Sequence, residues 1–420
     1  MRVDGQRLWR RLEAMAAITE PDRPYTRRSF TPRFIEGRAW IADAFRGAGL
    51  VTQIDAGGNL IGRLGGSDNN LKPIVIGSHS DTVPSGGRYD GVLGVLAALE
   101  VAEALQAAGK RLRHPLEVVD FLAEEPSEFG LSCIGSRAWA GALSPADLDR
   151  RRPDGMTLAE AIAYVGGDPS RLAGVRRAKG GTAAYLEVHI EQGIVLERSG
   201  TPIGIVTDIV GIRRERWMIS GRADHAGATP MNLRKDALVG AAHVIGEASA
   251  AATATLGTAK PLVATIGHIE VEPNAANAVP GRVVMTLEVR SGDDAAVRRF
   301  GDTLVERTKD RLAALGLELA RSEISHALPT PCADVIRSAI RHAAHDLGLA
   351  TVDLPSGAGH DGVFVAATGP VGMIFTPCEG GRSHAPEEAM TPEQAESGAA
   401  ALLAAVLRLD ETLPTDSLPT

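Results

Sequence analysis

Residues that could do chemistry gather in four short stretches. The first, GSHSDTVPSGGRYDGVLG at residues 77–94, places His79 and Asp81 two positions apart and Asp90 eleven residues after His79. On extended backbone, side chains two apart project to the same side. Asp81 is therefore placed to orient the His79 imidazole, a partner that a metal-bound histidine commonly has. Asp90 follows a turn rich in Gly and Pro and precedes an apolar helix, where a carboxylate can bridge two metal ions. Alone, a His-x-Asp reads as a satisfied loop histidine, and Asp90 as a helix cap. The complete run with its glycines favours the metal reading.

The second stretch, FLAEEPSEFGLSCIGSRAWAG at 121–141, puts Glu124 and Glu125 after an apolar run. Buried carboxylates are costly unless something pairs with them. Adjacent side chains point in different directions, so Glu125 suits a metal and Glu124 a general base facing the attacking water. A di-acid by itself is ordinary surface charge and gains weight only from its company. In LEVHIEQG, His189 falls near a strand end, as His79 does. In GGRSHAPEE, His384 sits in a Gly- and Pro-containing loop, a poor place for a core histidine.

Three histidines and a glutamate around one aspartate suit two first-row divalent ions: zinc first, with manganese, cobalt or nickel as alternatives. Such a pair acidifies a water and polarises an amide carbonyl. A glutamate then takes the water's proton and delivers it to the leaving nitrogen.

These residues need strands to position them. Leu71–Gly77, Leu116–Ala123 and Tyr185–Ile190 read as buried strands, and Val92–Ala108 as an apolar helix between the first two. Strands alternating with helices predict an α/β fold, in which sites collect at the carboxyl ends of strands. The expected catalytic domain carries a mixed sheet flanked by helices and runs over residues 1–210 and 326–420. Between them, 211–325 changes character. Strands at Arg213–Ser220, Pro261–Val271 and Gly281–Arg290, with helices at Asp236–Ala252 and Asp293–Leu315, predict a smaller inserted α+β domain without metal ligands. A helix over Ala333–Leu347 and a strand over Val371–Thr376 resume the first pattern, and Glu411–Thr420 reads as a frayed tail.

Composition narrows the class. The chain has 420 residues, a net charge of -8 and no cluster of Lys and Arg, which argues against nucleic acid or an anionic membrane as partner. Three scattered cysteines, Cys133, Cys332 and Cys378, make no disulfide framework and fit a reducing compartment. No apolar run has the length of a membrane span or the form of a signal peptide, so the expected location is cytoplasmic. The glycine-rich stretches at 77–94 and 356–362 lack the Lys-Ser/Thr of a P-loop and the strand-GxGxxG-helix pattern, which removes a nucleotide cofactor.

The motifs GSHSDTVPSGGRYDGVLGV, LEVHIEQG, GRADHAGATPMNLRKDA, SGAGHD and SHAPEE together resemble the M20 metallopeptidase-like family. They look most like its hydantoinase/carbamoylase amidase branch, which includes N-carbamoyl-L-amino acid hydrolases, β-ureidopropionases and allantoate amidohydrolases. The resemblance implies one metal on His79, Asp90 and His189, and a second on Asp90, Glu125 and His384, with Glu124 as base. It implies that the insert is a lid and dimerisation domain, and hence a homodimer. It also implies that His225 stabilises the oxyanion, that Asn277 and Arg290 bind a substrate carboxylate, and that Gln192 and His360, with Asp361, border the pocket. Arg290 at a strand end suits bidentate carboxylate recognition; its plain alternative is a surface ion pair. One departure stands out. Familiar members follow the paired glutamates with Gly and a basic residue, whereas this chain has Pro126, Ser127 and Glu128.

The expected reaction is hydrolysis of an N-carbamoyl amino acid to amino acid, CO2 and ammonia. Cleavage of an N-acyl amino acid or dipeptide-like amide by the same machinery is the alternative, and ammonia release separates the two. An inactive metal-binding homologue is the remaining reading.

Overall fold

A computed structural model describes residues 1–414. The chain forms two compact units. One is built from Met1–Thr207 and the residues from Pro331 onward, and the other from Asp208–Thr330.

The first unit is organised by a mixed sheet. Its strands lie in the order Val51–Ile54, Leu60–Leu64, Leu116–Phe121, Ile74–His79, Ala184–Ile190, Val371–Thr376 and Ile203–Ile209. The four strands from Leu116–Phe121 to Val371–Thr376 run parallel, and their neighbours on both sides run antiparallel. Every residue of those four strands is buried. Both faces of a parallel sheet are covered, which is why these strands read as continuous apolar runs. Ile74 and Ile76 face a core shared with the helices Gly5–Ala17, Val92–Ala107, Asp334–Asp346 and Pro392–Thr412. Val75, Val119, Phe121 and Tyr185 face the other way, against Trp139 and Val365. The Val92–Ala107 helix is apolar nearly all round because it packs between the sheet and other helices.

The second unit is a four-stranded antiparallel sheet in the order Glu318–Ala327, Gly211–Ser220, Arg282–Ser291 and Val263–Glu272. The helices Ala237–Thr253 and Asp294–Ala314 cover one face, with Trp217, Ile219, Met285, Leu287, Phe300 and Leu304 in the core.

The α/β reading with a mixed, helix-flanked sheet holds, and several details differ. Glu124 and Glu125 do not end a strand. The strand stops at Phe121, and Ala123 turns the chain through a positive φ of 52° before them. The strand Glu318–Ala327 escapes a reading by periodicity because it is an edge strand with every residue exposed or half-exposed. The Val51–Ile54/Leu60–Leu64 hairpin, Ile203–Ile209 and Thr351–Ser356 were likewise not anticipated. At the C-terminus, Glu411 and Thr412 belong to the final helix rather than to a tail; residues 415–420 lie outside the described ones. Among the described residues no helix is long and apolar enough to cross a membrane.

Candidate metal centre

The carboxyl ends of the central strands deliver the first ligand candidates. His79 is the last residue of its strand, and His189 the last but one of the neighbouring strand. Asp90 lies in the loop that enters the Val92–Ala107 helix through Gly91, whose φ is 66°. A Cβ on Gly91 would sit 2.3 Å from His79 Nε2, so only glycine lets this loop approach the imidazole.

Ligand atoms of His79, Asp90 and His189 all lie within 4.8 Å of one another, and so do those of Asp90, Glu125 and His384. Asp90 belongs to both groups. Its Oδ1 is 3.1 Å from His189 Nε2 and 3.6 Å from His79 Nε2, while its Oδ2 is 3.2 Å from His384 Nε2. Glu125 Oε1 is 3.3 Å from His384 Nε2. All of these are buried except His384, which is about half exposed.

The ring orientations follow from the other nitrogens. His189 Nδ1 lies 2.8 Å from the Ile190 carbonyl, and His79 Nδ1 lies 3.1 Å from the Asp81 carbonyl. A proton on each Nδ1 leaves the Nε2 lone pair facing the cluster, the tautomer a metal ligand needs. Asp81 thus orients His79 chiefly through its main chain, with its carboxylate at 3.4 Å. That carboxylate also accepts from the backbone N–H groups of Glu124 and Glu125, at 3.2 and 3.3 Å. One aspartate therefore ties the His79 strand end to the paired glutamates.

The electrostatics are those of a cation trap. Burial pushes Glu124 well above the usual carboxylate range, against the pull of His79, and Glu125 is pushed up to about 7 by burial and then by Asp90. Burial also opposes the charge on Asp90, yet His189, His384 and His79 hold it well below its ordinary value. His384 rises to about 9, mainly through its bond to Asp90. For each of these carboxylates the strongest opposing positive charge is a histidine. Buried carboxylates opposed chiefly by imidazoles form a set of donors that favours a divalent cation. The donor set, imidazole nitrogen and carboxylate oxygen, suits first-row ions.

Glu124 sits beside this cluster, its Oε2 3.7 Å from His79 Nε2. Gln192 reaches it as well, its Nε2 donating to Asp90 Oδ2 at 2.7 Å. His360 stacks edge-on against His189 with centroids 4.7 Å apart and pairs with Ser356 Oγ at 2.8 Å. Burial, then His189, holds its pKa well below the usual value, so it is a neutral ring. Asp361 accepts from Ser136 Oγ at 2.6 Å and is fully buried.

His225, Asn277 and Arg290 lie in the second unit. His225 pairs with Ala278 across a short ladder, beside which Ala226 N–H donates to the Asn277 carbonyl, and His225 and Asn277 are both exposed. His225 Nδ1 accepts from the N–H groups of Gly227 and Ala228, each at 3.1 Å, which leaves the ring proton on Nε2. Arg290 is engaged by Glu288 Oε1 at 2.7 Å. In the first unit Glu128, the unexpected acid after the paired glutamates, is ion-paired with Arg28 at 3.1 Å.

Nothing local in the sequence marks a role for Ser383 or Glu388, although both stand in the SHAPEE stretch. Ser383 Oγ lies 2.6 Å from Asp90 Oδ2 and 2.8 Å from Glu388 Oε2. Glu187 was also unassigned. It forms a third group with His189 and His360, and it accepts from Ser78 and Tyr185. The available signal was a buried acid two residues before a ligand on the same strand.

The family model for peptidase family M20/M25/M40 matches residues 75–408. The chain belongs to this family. Among curated relatives, it is 40% identical over 408 residues to an N-carbamoyl-L-amino acid amidohydrolase from Geobacillus stearothermophilus, covering 97% of this chain and 99% of the relative. It is 36% identical over 410 residues to an N-carbamoyl-L-amino-acid amidohydrolase from Paenarthrobacter aurescens, covering 97% and 99%. Among solved structures, it is similar to a hydantoinase/carbamoylase family amidase from Burkholderia multivorans, with a TM-score of 0.89 and 37% identity over 97% of this chain and 98% of the other. Membership of the M20 family and the clustered histidines and carboxylates together support binding of a divalent metal.

Proposed function

We propose that the protein is a two-metal amidohydrolase that converts an N-carbamoyl amino acid and water into the amino acid, CO2 and ammonia. The observation that carries this reading is the pair of ligand groups sharing Asp90, buried apart from His384, with Glu124 beside them. It is supported by full-length similarity to two amidohydrolases whose names specify N-carbamoyl-L-amino acids.

In this reading His79, His189 and Asp90 hold one ion, and Asp90, Glu125 and His384 hold the other. Bound divalent ions supply Lewis acidity, which polarises the ureido carbonyl and favours deprotonation of the attacking water. Glu124 takes that water's proton and passes it to the departing nitrogen, a role suited to a carboxyl whose pKa burial has raised. His225 donates from Nε2 to the developing oxyanion, its ring oriented by the Gly227 and Ala228 amides. Arg290 and Asn277 bind the substrate carboxylate, and Arg290 shares its guanidinium with Glu288. Gln192 and His360 line the pocket.

The second unit supports a homodimer. Its edge strand Val263–Glu272 exposes Val263 and Ile269, and its Ala237–Thr253 helix exposes Leu238, Val239 and Ile245. An uncovered edge with apolar neighbours is a surface that a second copy of the strand would extend. A single-chain mass by light scattering would overturn the dimer.

The activity is tested by ammonia release from metal-reconstituted protein with N-carbamoyl-L-α-amino acids, β-ureidopropionate, allantoate, and N-acetyl and N-formyl amino acids. Ammonia from a ureido compound is expected, abolished by a chelator and lowered about 100-fold or more in Glu124→Gln with metal content unchanged. Cleavage of an acyl amino acid with no ammonia from any ureido compound would overturn the substrate assignment.

A further inference from the structure

Glu388 is fully buried, and its carboxylate is spent on two loops from distant parts of the chain. Oε1 accepts from the backbone N–H of Tyr89 at 2.7 Å and of Asp90 at 3.2 Å, across sequence separations of 299 and 298 residues. Oε2 lies 2.8 Å from the hydroxyl of Ser383, the neighbour of His384, and that hydroxyl also reaches Asp90 Oδ2 at 2.6 Å. From the other side, Arg88 donates to the Glu388 main-chain carbonyl at 3.2 Å. Glu388 thus touches the main chain of Asp90 directly and its carboxylate through one hydroxyl, and it sits on the loop that carries His384.

The sequence has made room for this contact. A Cβ on Gly87 would fall 2.0 Å from a Glu388 carboxylate oxygen, so the tight turn before Asp90 closes around the acid only because residue 87 has no side chain. Two positions far apart in sequence therefore agree on one arrangement.

We infer that Glu388 is a positioning residue that sets the distance between Asp90 and His384, and so governs affinity for the ion held by Asp90, Glu125 and His384. The inference rests on the two-metal reading above. Its physical basis is that the His79 and His189 ends of the cluster are fixed by the sheet, with Nδ1 of each ring held by a backbone carbonyl. His384 has no such scaffold. It lies in a loop at a φ of 55° and is about half exposed. Its registration against Asp90 comes from contacts that tie its loop to the Asp90 loop, and Glu388 supplies two of them, from the Tyr89 and Asp90 amides, while also meeting Ser383 within its own loop. Loss of groups that orient metal ligands typically weakens affinity about 10- to 100-fold. Here the loss falls on one ion of the pair.

The test uses the full-length protein dialysed against graded zinc, with bound metal counted by elemental analysis and folding checked by circular dichroism. Wild type is expected to hold two ions per chain. Glu388→Ala should retain one and bind the other about 10-fold or more weakly. Gly87→Ala, which displaces the carboxylate without removing it, should reproduce that defect. Glu388→Gln keeps an acceptor for the two backbone amides and should hold both ions. Cobalt substitution adds a spectroscopic readout, because loss of one site removes part of the visible absorption. Two tightly held ions in both alanine variants, equal loss of both ions, or a Gln variant as defective as Ala would each overturn the inference. Failure of the underlying reading looks different: wild type itself would hold fewer than two ions, and the inference would fall with it.

Discussion

The two units use the same residue types in opposite ways. In the first, histidines and carboxylates are packed together out of water, and each disturbs its neighbours' protonation. In the second, His225 and Asn277 stand exposed and Arg290 is half-exposed, with His225 and Arg290 held by short local bonds to Gly227, Ala228 and Glu288. Burial that brings carboxylates and imidazole nitrogens together gives the first set its capacity for a divalent metal. In the second set, His225 and Arg290 keep part of the side chain in solvent while neighbouring residues hold the rest. Desolvation rather than residue identity separates the two sets.

That contrast is open to attack at several points. Asp90→Asn should be the most damaging change, since Asp90 is common to both ligand groups. Metal content should fall below the wild-type stoichiometry, and ammonia release should fall about 1,000-fold if bound ions supply several kcal/mol of activation as proposed. Retention of two tightly held ions would break the picture of a shared bridging carboxylate. In the second unit the largest effect should be on stability. Trp217 is fully buried in that unit's core, and Trp217→Ala should cost about 3–5 kcal/mol in chemical unfolding. A loss below about 1 kcal/mol would mean that this core does not hold the unit together.

Arg290→Ala should raise KM about 10- to 100-fold, with metal content unchanged, as expected when a charged hydrogen-bonding partner is removed. An unchanged KM would reduce Arg290 to an ion pair with Glu288. The first unit should also announce itself through protons. His384 has its pKa raised to about 9 by its bond to Asp90, so at neutral pH it is protonated and must lose that proton to ligate. Metal affinity should therefore rise with pH up to about 9, and uptake near pH 7 should release protons. Calorimetry in two buffers of different ionisation heat measures the release, and identical heats would contradict it. The smallest effect belongs to the surface of the second unit. The cross-strand pair Arg282–Glu272 is exposed, and Arg282→Ala should change stability by less than about 1 kcal/mol.

Much of this was legible in the chain because it is encoded locally. The strands ending near His79 and His189 read as apolar runs, since a doubly covered parallel strand has no polar face to present. The Gly-rich loop before Asp90 signalled itself through composition. The strand Glu318–Ala327 stayed hidden because an exposed edge strand keeps no hydrophobic period to read. Glu388 and Ser383 were visible as letters and had no partner in view, because the groups they hold lie about 300 residues away.

Sequence alone determined the kinds of residue available, the strand ends and turns that carry them, and membership of the M20 family through its long motifs. The tertiary structure decided which oxygen of Asp90 faces which imidazole, that Asp81 meets His79 chiefly through its carbonyl and the paired glutamates through its carboxylate, that Glu128 is paired with Arg28, and that Glu388 joins two loops. The reason is physical. Local pattern sets backbone conformation over a few residues, whereas ligand distances and proton affinities depend on which distant groups share a dehydrated space, and only the folded chain specifies that.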